Sequence, residues 1–433
     1  MTFTNLSRVA AALSVSLLLA ACSSNKAELV STQLAPGTAT RPVLSADEAQ
    51  IFTQRNYFAL SGQYAQPLED HWIPSLISTD SVQTQFVVGS QVGVDGATFT
   101  SVQEAVSASL RARNHGNRIF IKLLPGTYTG TVYVPAGAAP ITLFGAGESA
   151  DQVVIQLALD SMISPETYRN TVNPKGEYLP GDRAWYMYNV CATKQKETID
   201  TICSAVVWSQ SNNFQMKNLT VVNSLLDTVD GGAHQGVALR TDGDKAQLEN
   251  VRLIGRQDTF FVNTSDIQNN YVTDHYSRVY VKNSYIEGDV DYVFGRANAV
   301  FDNVEFHTVS SRGAGEAYVF APDTMPQIPF GFLVINSRLT GDGGFQGDTK
   351  AKLGRAWDQG ARETGYVAGQ TANGQLVIRD SRIDSSYDVL APWGAAAATN
   401  RPFAGNIAPN RDLNDVNFNR LWEYNNIVVV GEK

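Results

Sequence analysis

The sequence predicts an all-β chain wound as a parallel β-helix, a solenoid with short capping helices. An Asn or Asp followed by a strand-forming run recurs at MKNLTVV (Asn218), LENVRLI (Asn250), VKNSYIE (Asn283), FDNVEFH (Asn303), VINSRLT (Asn336) and IRDSRID (Asp380). The intervals are 32, 33, 20, 33 and 44 residues; a propeller or a sandwich is the alternative, though a sandwich shows shorter and more even spacing. Strands at such a period, with insertions between them, suit a solenoid because no coil covers its own apolar face until its neighbours stack on it. A side-chain amide or carboxylate at each bend can stack on its equivalent in the next coil and satisfy turn backbone groups. From Gln85 the texture is short β-rich runs punctuated by Gly and Pro, with one helical stretch, Ser101 to Arg113.

The chain begins with Arg8 and an apolar run, Val9 to Ala21. That run is too short for a membrane span and suits a signal-peptide core. It ends in Leu19-Ala20-Ala21-Cys22, which resembles the bacterial lipobox, with Cys22 the residue to be lipidated. Ser23 follows in place of the Asp associated with inner-membrane retention, so an outer-membrane lipid anchor is expected, with its facing side open. Residues 22–44, rich in Ser, Thr, Ala and Pro and without hydrophobic periodicity, read as a tether. Residues 45–84 form an N-terminal extension in which Ser45 caps a short helix running to about Leu60. The β-helix domain occupies 85–433. Within it, Ser161 to Cys203 fits no repeat and is expected to stand out from the barrel, with Trp185, Tyr186 and Tyr188. The tail, Leu413 to Asn426, reads as a small helix or cap over the last coil.

Composition narrows the function. With 43% hydrophobic and 17% charged residues the chain can form a core. Its net charge is −9, and −10 once residues 1–21, which carry only Arg8, are removed. A basic footprint for nucleic acid is missing, and a substrate that is neutral where it binds suits an acidic surface better than a polyanion does. Cys191 and Cys203 lie close in sequence in an exported, oxidising context, which favours a local disulfide over a thiol nucleophile or metal site.

Chemistry concentrates in GDVDYVFGRA (Gly288 to Ala297), where Asp291 sits among apolar and aromatic neighbours. Such a carboxylate is costly to bury unpaired, so a partner must come from elsewhere in the chain. GRQDTFF (Gly255 to Phe261) carries Asp258, and LGRAW (Leu353 to Trp357) carries Arg355. Two acids and one guanidinium make either a catalytic carboxylate pair or a structural ion pair.

These segments together resemble the pectin methylesterases, carbohydrate esterases on a right-handed parallel β-helix, and the resemblance runs from about Gln85 to Asn426. DGATFTSVQEAV and LLPGTY look like the family's opening. HQGVALR matches its QAVAL motif with Gly236 for Ala, and GRQDTFF its QDTL. GDVDYVFGRA matches its GTVDFIFGNA, and LGRAW its LGRPW with Ala356 for Pro. The resemblance implies Asp291 as nucleophile on the methyl-ester carbonyl of a galacturonate in pectin or its fragments, and Asp258 as acid and then base. It also implies Gln257 and Gln235 as oxyanion donors and Arg355 as the group holding Asp291 ionised. No cofactor or metal is implied, and a monomer is expected. Trp357, two residues beyond Arg355, is a candidate for stacking on a sugar ring, with Phe261, Tyr292 and Trp393 behind it.

Other readings remain at this point. A glycosidase or pectate lyase on the same fold would use an acid pair without oxyanion amides, or a calcium-binding acid cluster. Asp242-Gly243-Asp244 is the nearest such cluster and reads as a turn. An acyl thioester hydrolase uses similar oxyanion logic, and a β-helix without catalysis could bind envelope carbohydrate. There is no GxSxG elbow, the five histidines lack metal-ligand spacing, and His234 beside Gln235 reads as a rim or hydrogen-bonding residue.

Overall fold

The computed structural model describes residues 28–113, 115–266, 275–313 and 315–432. Cys22 and the signal segment lie outside the described residues. The chain winds into coils whose strands stack in parallel as three sheets. Two of these sheets are continuous around a bend, so each coil has a strand on either side of it, as in Arg278–Lys282 and Tyr285–Gly288. The third sheet has seven strands, from Val132–Val134 to Lys352–Gly354.

The bends are the Asn and Asp residues of the repeat. Asn218, Asn250, Asn283, Asn303, Asn336 and Asp380 all have φ between 50° and 55°, a left-handed conformation that short polar side chains tolerate better than other non-glycine residues do. Their side chains link coil to coil: Asn250 Nδ2 donates to Asn218 Oδ1 at 2.7 Å, and Asn303 Nδ2 to Asn283 Oδ1 at 2.7 Å. Val, Ile, Leu and Phe from all three sheets fill the interior.

The tail departs from expectation. Arg420–Tyr424 and Ile427–Glu432 are strands of a final coil, and Asn425, at φ 50°, is a seventh bend that donates to Asp380 Oδ1 at 2.7 Å. Its alternation explains the strand: Leu421 turns into the interior while Trp422 faces outward beneath the N-terminal extension. The capping role assigned to the tail falls instead to residues 28–44, whose reading as a tether is corrected. Glu28–Thr32 pairs antiparallel with Ile427–Glu432, the Leu44 N–H donates to Glu423 O, and buried Arg41 makes a two-pronged ion pair with buried Glu423 at 2.8 Å. An unpaired last strand is an open edge, and this segment closes it.

At the other end, helix Val102–Arg111, capped by Ser101, turns Val102, Ala105 and Val106 inward. The extension forms two short helices rather than one, Ala46–Ala49 with a Ser45–Glu48 capping box and Gln54–Ala59. Its Phe52, Tyr57 and Phe58 pack on Tyr280, Phe330 and Trp422. The insertion does not stand out from the barrel. Its helices Pro165–Val172 and Trp185–Ala192, joined to the following loop by the Cys191–Cys203 disulfide, lie on the outer face of the third sheet through Tyr168, Tyr178 and Tyr188.

Candidate active site

The site lies on the outside of the third sheet, where neighbouring coils bring residues far apart in sequence to one level. Phe260–Val262 pairs with Val293–Gly295, so Asp258 and Asp291, each two residues before its strand, occupy equivalent places on adjacent coils. The Asp258 N–H donates to Val290 O at 3.1 Å. Both acids have positive φ, 67° and 51°. The two turns can approach this closely because Gly288 has no side chain: a Cβ there would lie 2.6 Å from Arg256 O and 2.3 Å from Tyr292 Cβ.

Arg355 follows the next-but-one strand of the same sheet, Lys352–Gly354. Its Nε donates to Asp291 Oδ1 at 2.8 Å and its Nη2 to Oδ2 at 2.7 Å, a fork that fixes the carboxylate plane. The Tyr318 ring lies 4.0 Å from the guanidinium carbon. Side-chain exposures of 20% for Arg355 and 11% for Asp291 leave the pair partly desolvated yet open to solvent. Burial disfavours the Arg355 charge, but Asp291 outweighs it and the guanidinium is held above its ordinary range. Burial, and then the charge of Asp291, push the Asp258 carboxyl well above the usual carboxylate range, with Arg355 pulling the other way. One acid is thus paired with a cation while its neighbour holds its proton more tightly than a free carboxyl does.

The two amides are oriented by groups that sequence patterns do not mark. Ser161 Oγ donates to Gln235 Oε1 at 2.6 Å, and the Ser161 N–H donates to Gln235 O at 2.9 Å. The His234 N–H donates to Gln257 Oε1 at 3.1 Å, and His234 Nδ1 lies 2.7 Å from Asp160 Oδ2. With both amide oxygens engaged, the NH2 ends are the ones left to donate. Gly236, where the family motif has Ala, faces Asn223: a Cβ there would come within 3.0 Å of Asn223 Nδ2, and Asn223 ties Leu159, two residues before Ser161, to Ser204. Behind Asp291, buried Asp289 takes a two-pronged contact from Arg312 at 2.6 and 3.0 Å. The sequence assigns Ser161, Asp160, Tyr318 and Arg312 no role at the site, and no local pattern marks them because their partners lie 23 to 74 residues away.

Trp357 is half-buried and braced edge-on by Phe261 and Phe294, with ring centroids 6.3 and 5.6 Å away. The other aromatic candidates are corrected. Tyr292 is fully buried in the solenoid interior, its hydroxyl against Thr308 Oγ1 at 2.9 Å. Positive φ at Asp291 breaks strand alternation, so Tyr292 and Val293 both turn inward. Phe261 faces outward but is buried under the insertion, stacked on Phe294 at 4.4 Å. Trp393 is buried against the core. Asp242 and Asp244 are engaged by Arg240 and Arg278, and among the described residues no cluster of His, Cys, Asp or Glu is arranged to hold a metal ion.

An acid pair on adjacent coils, one member of it held by a guanidinium, with two oriented amides on neighbouring coils of the same sheet, defines a carboxylate-centred ester hydrolase on a parallel β-helix. The pectinesterase family model matches residues 181–367. Pectinesterase B of Dickeya dadantii is 66% identical over 433 residues, covering all of both chains, and the chain belongs to the pectinesterase family. The crystal structure of rice weevil pectin methyl esterase superposes with a TM-score of 0.80 at 37% identity, covering 92% of this chain and all of that one. The Escherichia coli protein described as the putative acyl-CoA thioester hydrolase YbhC is 48% identical over 430 residues, covering 98% of this chain and 96% of its own. Its crystal structure gives a TM-score of 0.84 and covers 93% of this chain and 98% of that one.

Proposed function

We propose that this chain is a pectinesterase that hydrolyses methyl esters of galacturonate residues in pectin or methylated oligogalacturonides, releasing methanol. The observation that carries the reading is the fork from Arg355 to Asp291 beside Asp258, whose carboxyl is raised by burial and by the Asp291 charge. Asp291, aimed by the guanidinium, attacks the ester carbonyl carbon, and charge gathers on the carbonyl oxygen. The NH2 groups of Gln235 and Gln257 receive that charge without titrating. As the tetrahedral species collapses, Asp258 gives its proton to the departing methoxy oxygen, and the acyl group remains on Asp291 as an anhydride. Asp258, now a carboxylate, takes a proton from water, and the hydroxide attacks the same carbonyl. The product leaves as the carboxylic acid and loses its proton to solvent, Asp291 is restored as a carboxylate and Asp258 carries the proton taken from water. Trp357 offers a ring face for a neighbouring sugar.

The same reading includes Cys22 as a lipidated terminus in the outer membrane, and a monomeric body. If the body faces the periplasm, methylated oligomers small enough to cross the membrane are its substrate. Its test is methanol release from methylated galacturonate polymer and short oligomers by protein truncated after Cys22. No release from either, by protein of native circular dichroism, removes the proposal.

A second reading, acyl thioester hydrolysis, is favoured by the likeness to YbhC. The same two acids and amides serve a thioester carbonyl, so turnover of an acyl thioester exceeding that of methylated galacturonate would decide for it.

A further inference from the structure

We propose that the C-terminal end of the solenoid is a lipid-facing surface, resting on the bilayer that holds the acyl chains of Cys22. The inference rests on the reading of Cys22 as lipidated and adds to it the orientation of the body on the membrane. Only five residues, 23–27, separate Cys22 from Glu28, where the chain joins the last coil as a strand. Six extended steps span at most about 21 Å. A tether running to residue 44 would reach roughly 75 Å by the same rule. The point of attachment therefore lies at one end of the molecule and close to the membrane.

That end is built for the contact. Leu34 is 80% exposed, Leu390 78%, Ile427 46% and Val430 44%. They belong to one assembly: Thr32 pairs with Ile427, Thr40 Oγ1 donates to Leu390 O at 2.9 Å, and the Arg41 guanidinium donates to Val389 O at 2.7 Å. The stretches that carry them, 31–40, 389–400 and 427–431, contain no charged residue in a chain of net charge −9. An acidic face would be repelled by an anionic leaflet, whereas a neutral, apolar one is not. The opposite end presents Asp95, Glu104 and Arg111 around its capping helix.

The arrangement sets the height of the active site. From Tyr285–Gly288, which leads into Asp291, five strand-to-strand steps reach Glu28–Thr32. At about 4.8 Å each they put Asp291 about 24 Å, and Asp258 one coil further, from the strand that meets the bilayer, with the cleft opening sideways.

The test uses the full acylated protein in phosphatidylethanolamine–phosphatidylglycerol vesicles, with single added cysteines carrying a fluorophore and with quencher groups on the lipid. Labels at Leu34 and Leu390 are quenched and one at Gln91, near the far end, is not. Equal quenching at all three, or none at Leu34 and Leu390, overturns the proposal when mass spectrometry shows acyl chains on Cys22. Their absence from Cys22 overturns the anchoring reading itself, and the docked face with it. The double substitution Leu34→Asp and Leu390→Asp, read by a label at Thr38, cuts quenching severalfold and leaves methanol release from soluble oligomers unchanged. Undiminished quenching in that variant shows that the short link alone holds the body and overturns the apolar face.

Discussion

Asp258 and Asp291 stand at the same level of adjacent coils, both at positive φ, and only Asp291 is gripped by Arg355. Stacking makes like charges neighbours, and the one-sided fork makes them unequal. Burial and the Asp291 charge raise the Asp258 carboxyl well above the usual carboxylate range, so Asp258 is the member of the pair placed to act as an acid.

Removing the guanidinium takes away a charge that opposes the rise at Asp258. Burial and Asp291 raise the Asp258 carboxyl while Arg355 lowers it, so Arg355→Ala raises it further. Activity that needs protonated Asp258 is present below its pKa and lost above it. The alkaline limb of the kcat profile thus moves to higher pH, while kcat at the optimum falls about 100-fold or more as the nucleophile loses its aim. A pH–rate profile checks both, and an unmoved limb contradicts the coupling.

Gln235→Ala lowers kcat by about 100-fold or more if its NH2 meets the oxyanion. Ser161→Ala, which frees the amide to rotate, lowers kcat by about 10-fold with little change in KM, and Ser161→Thr restores most of it. In the double variant the two losses do not add. Additive losses would show that Ser161 acts by some other route.

Trp357→Ala raises KM for oligomers about 10-fold, since one stacked ring contributes on the order of 1 kcal/mol beyond its area. Methanol release measured across oligomer concentration separates this from a fall in kcat.

Asp323 is buried, and desolvation, opposed chiefly by the Arg296 charge, raises its carboxyl to about 8 from 3.8. Between those values the native chain keeps a proton that the unfolded chain has released. Stability from this group falls as pH rises through the window, by up to about 1.4 kcal/mol per pH unit, and levels off above it. Asp323→Asn keeps an acceptor for the Gln359 N–H at 3.0 Å and removes that slope. Urea midpoints of both proteins from pH 5 to 8 show the difference.

Arg41→Ala leaves Glu423 buried without its partner and costs about 3–5 kcal/mol. Urea unfolding measures it. A loss below about 1 kcal/mol would mean that residues 28–44 hang free after all.

Much of this molecule was legible from its bends. The recurring Asn and Asp announced the coils because only a few residue types accept positive φ, and a demand repeated in every coil leaves a periodic mark. The same logic hid Asn425, since its flanking aromatics looked like a helical cap, and strand alternation shows only against the neighbouring coil. Tyr292 misled because a single positive φ at Asp291 reverses the face on which the following residue lies. Residues 28–44 looked like a tether because a cap strand needs little hydrophobic pattern when its partner supplies the edge.

The amino-acid order alone determined the coil period, because that is a matter of residue type and local conformation at each bend, while the two acids, the guanidinium and the two amides were marked by motifs that resemble those of the pectin methylesterases. Only the tertiary structure decided which carboxylate the guanidinium grips, which end of each amide is left to donate, which aromatic meets solvent and which end of the solenoid the chain enters. Those properties depend on distances across coils, where burial and a facing charge act through space and leave no trace in sequence.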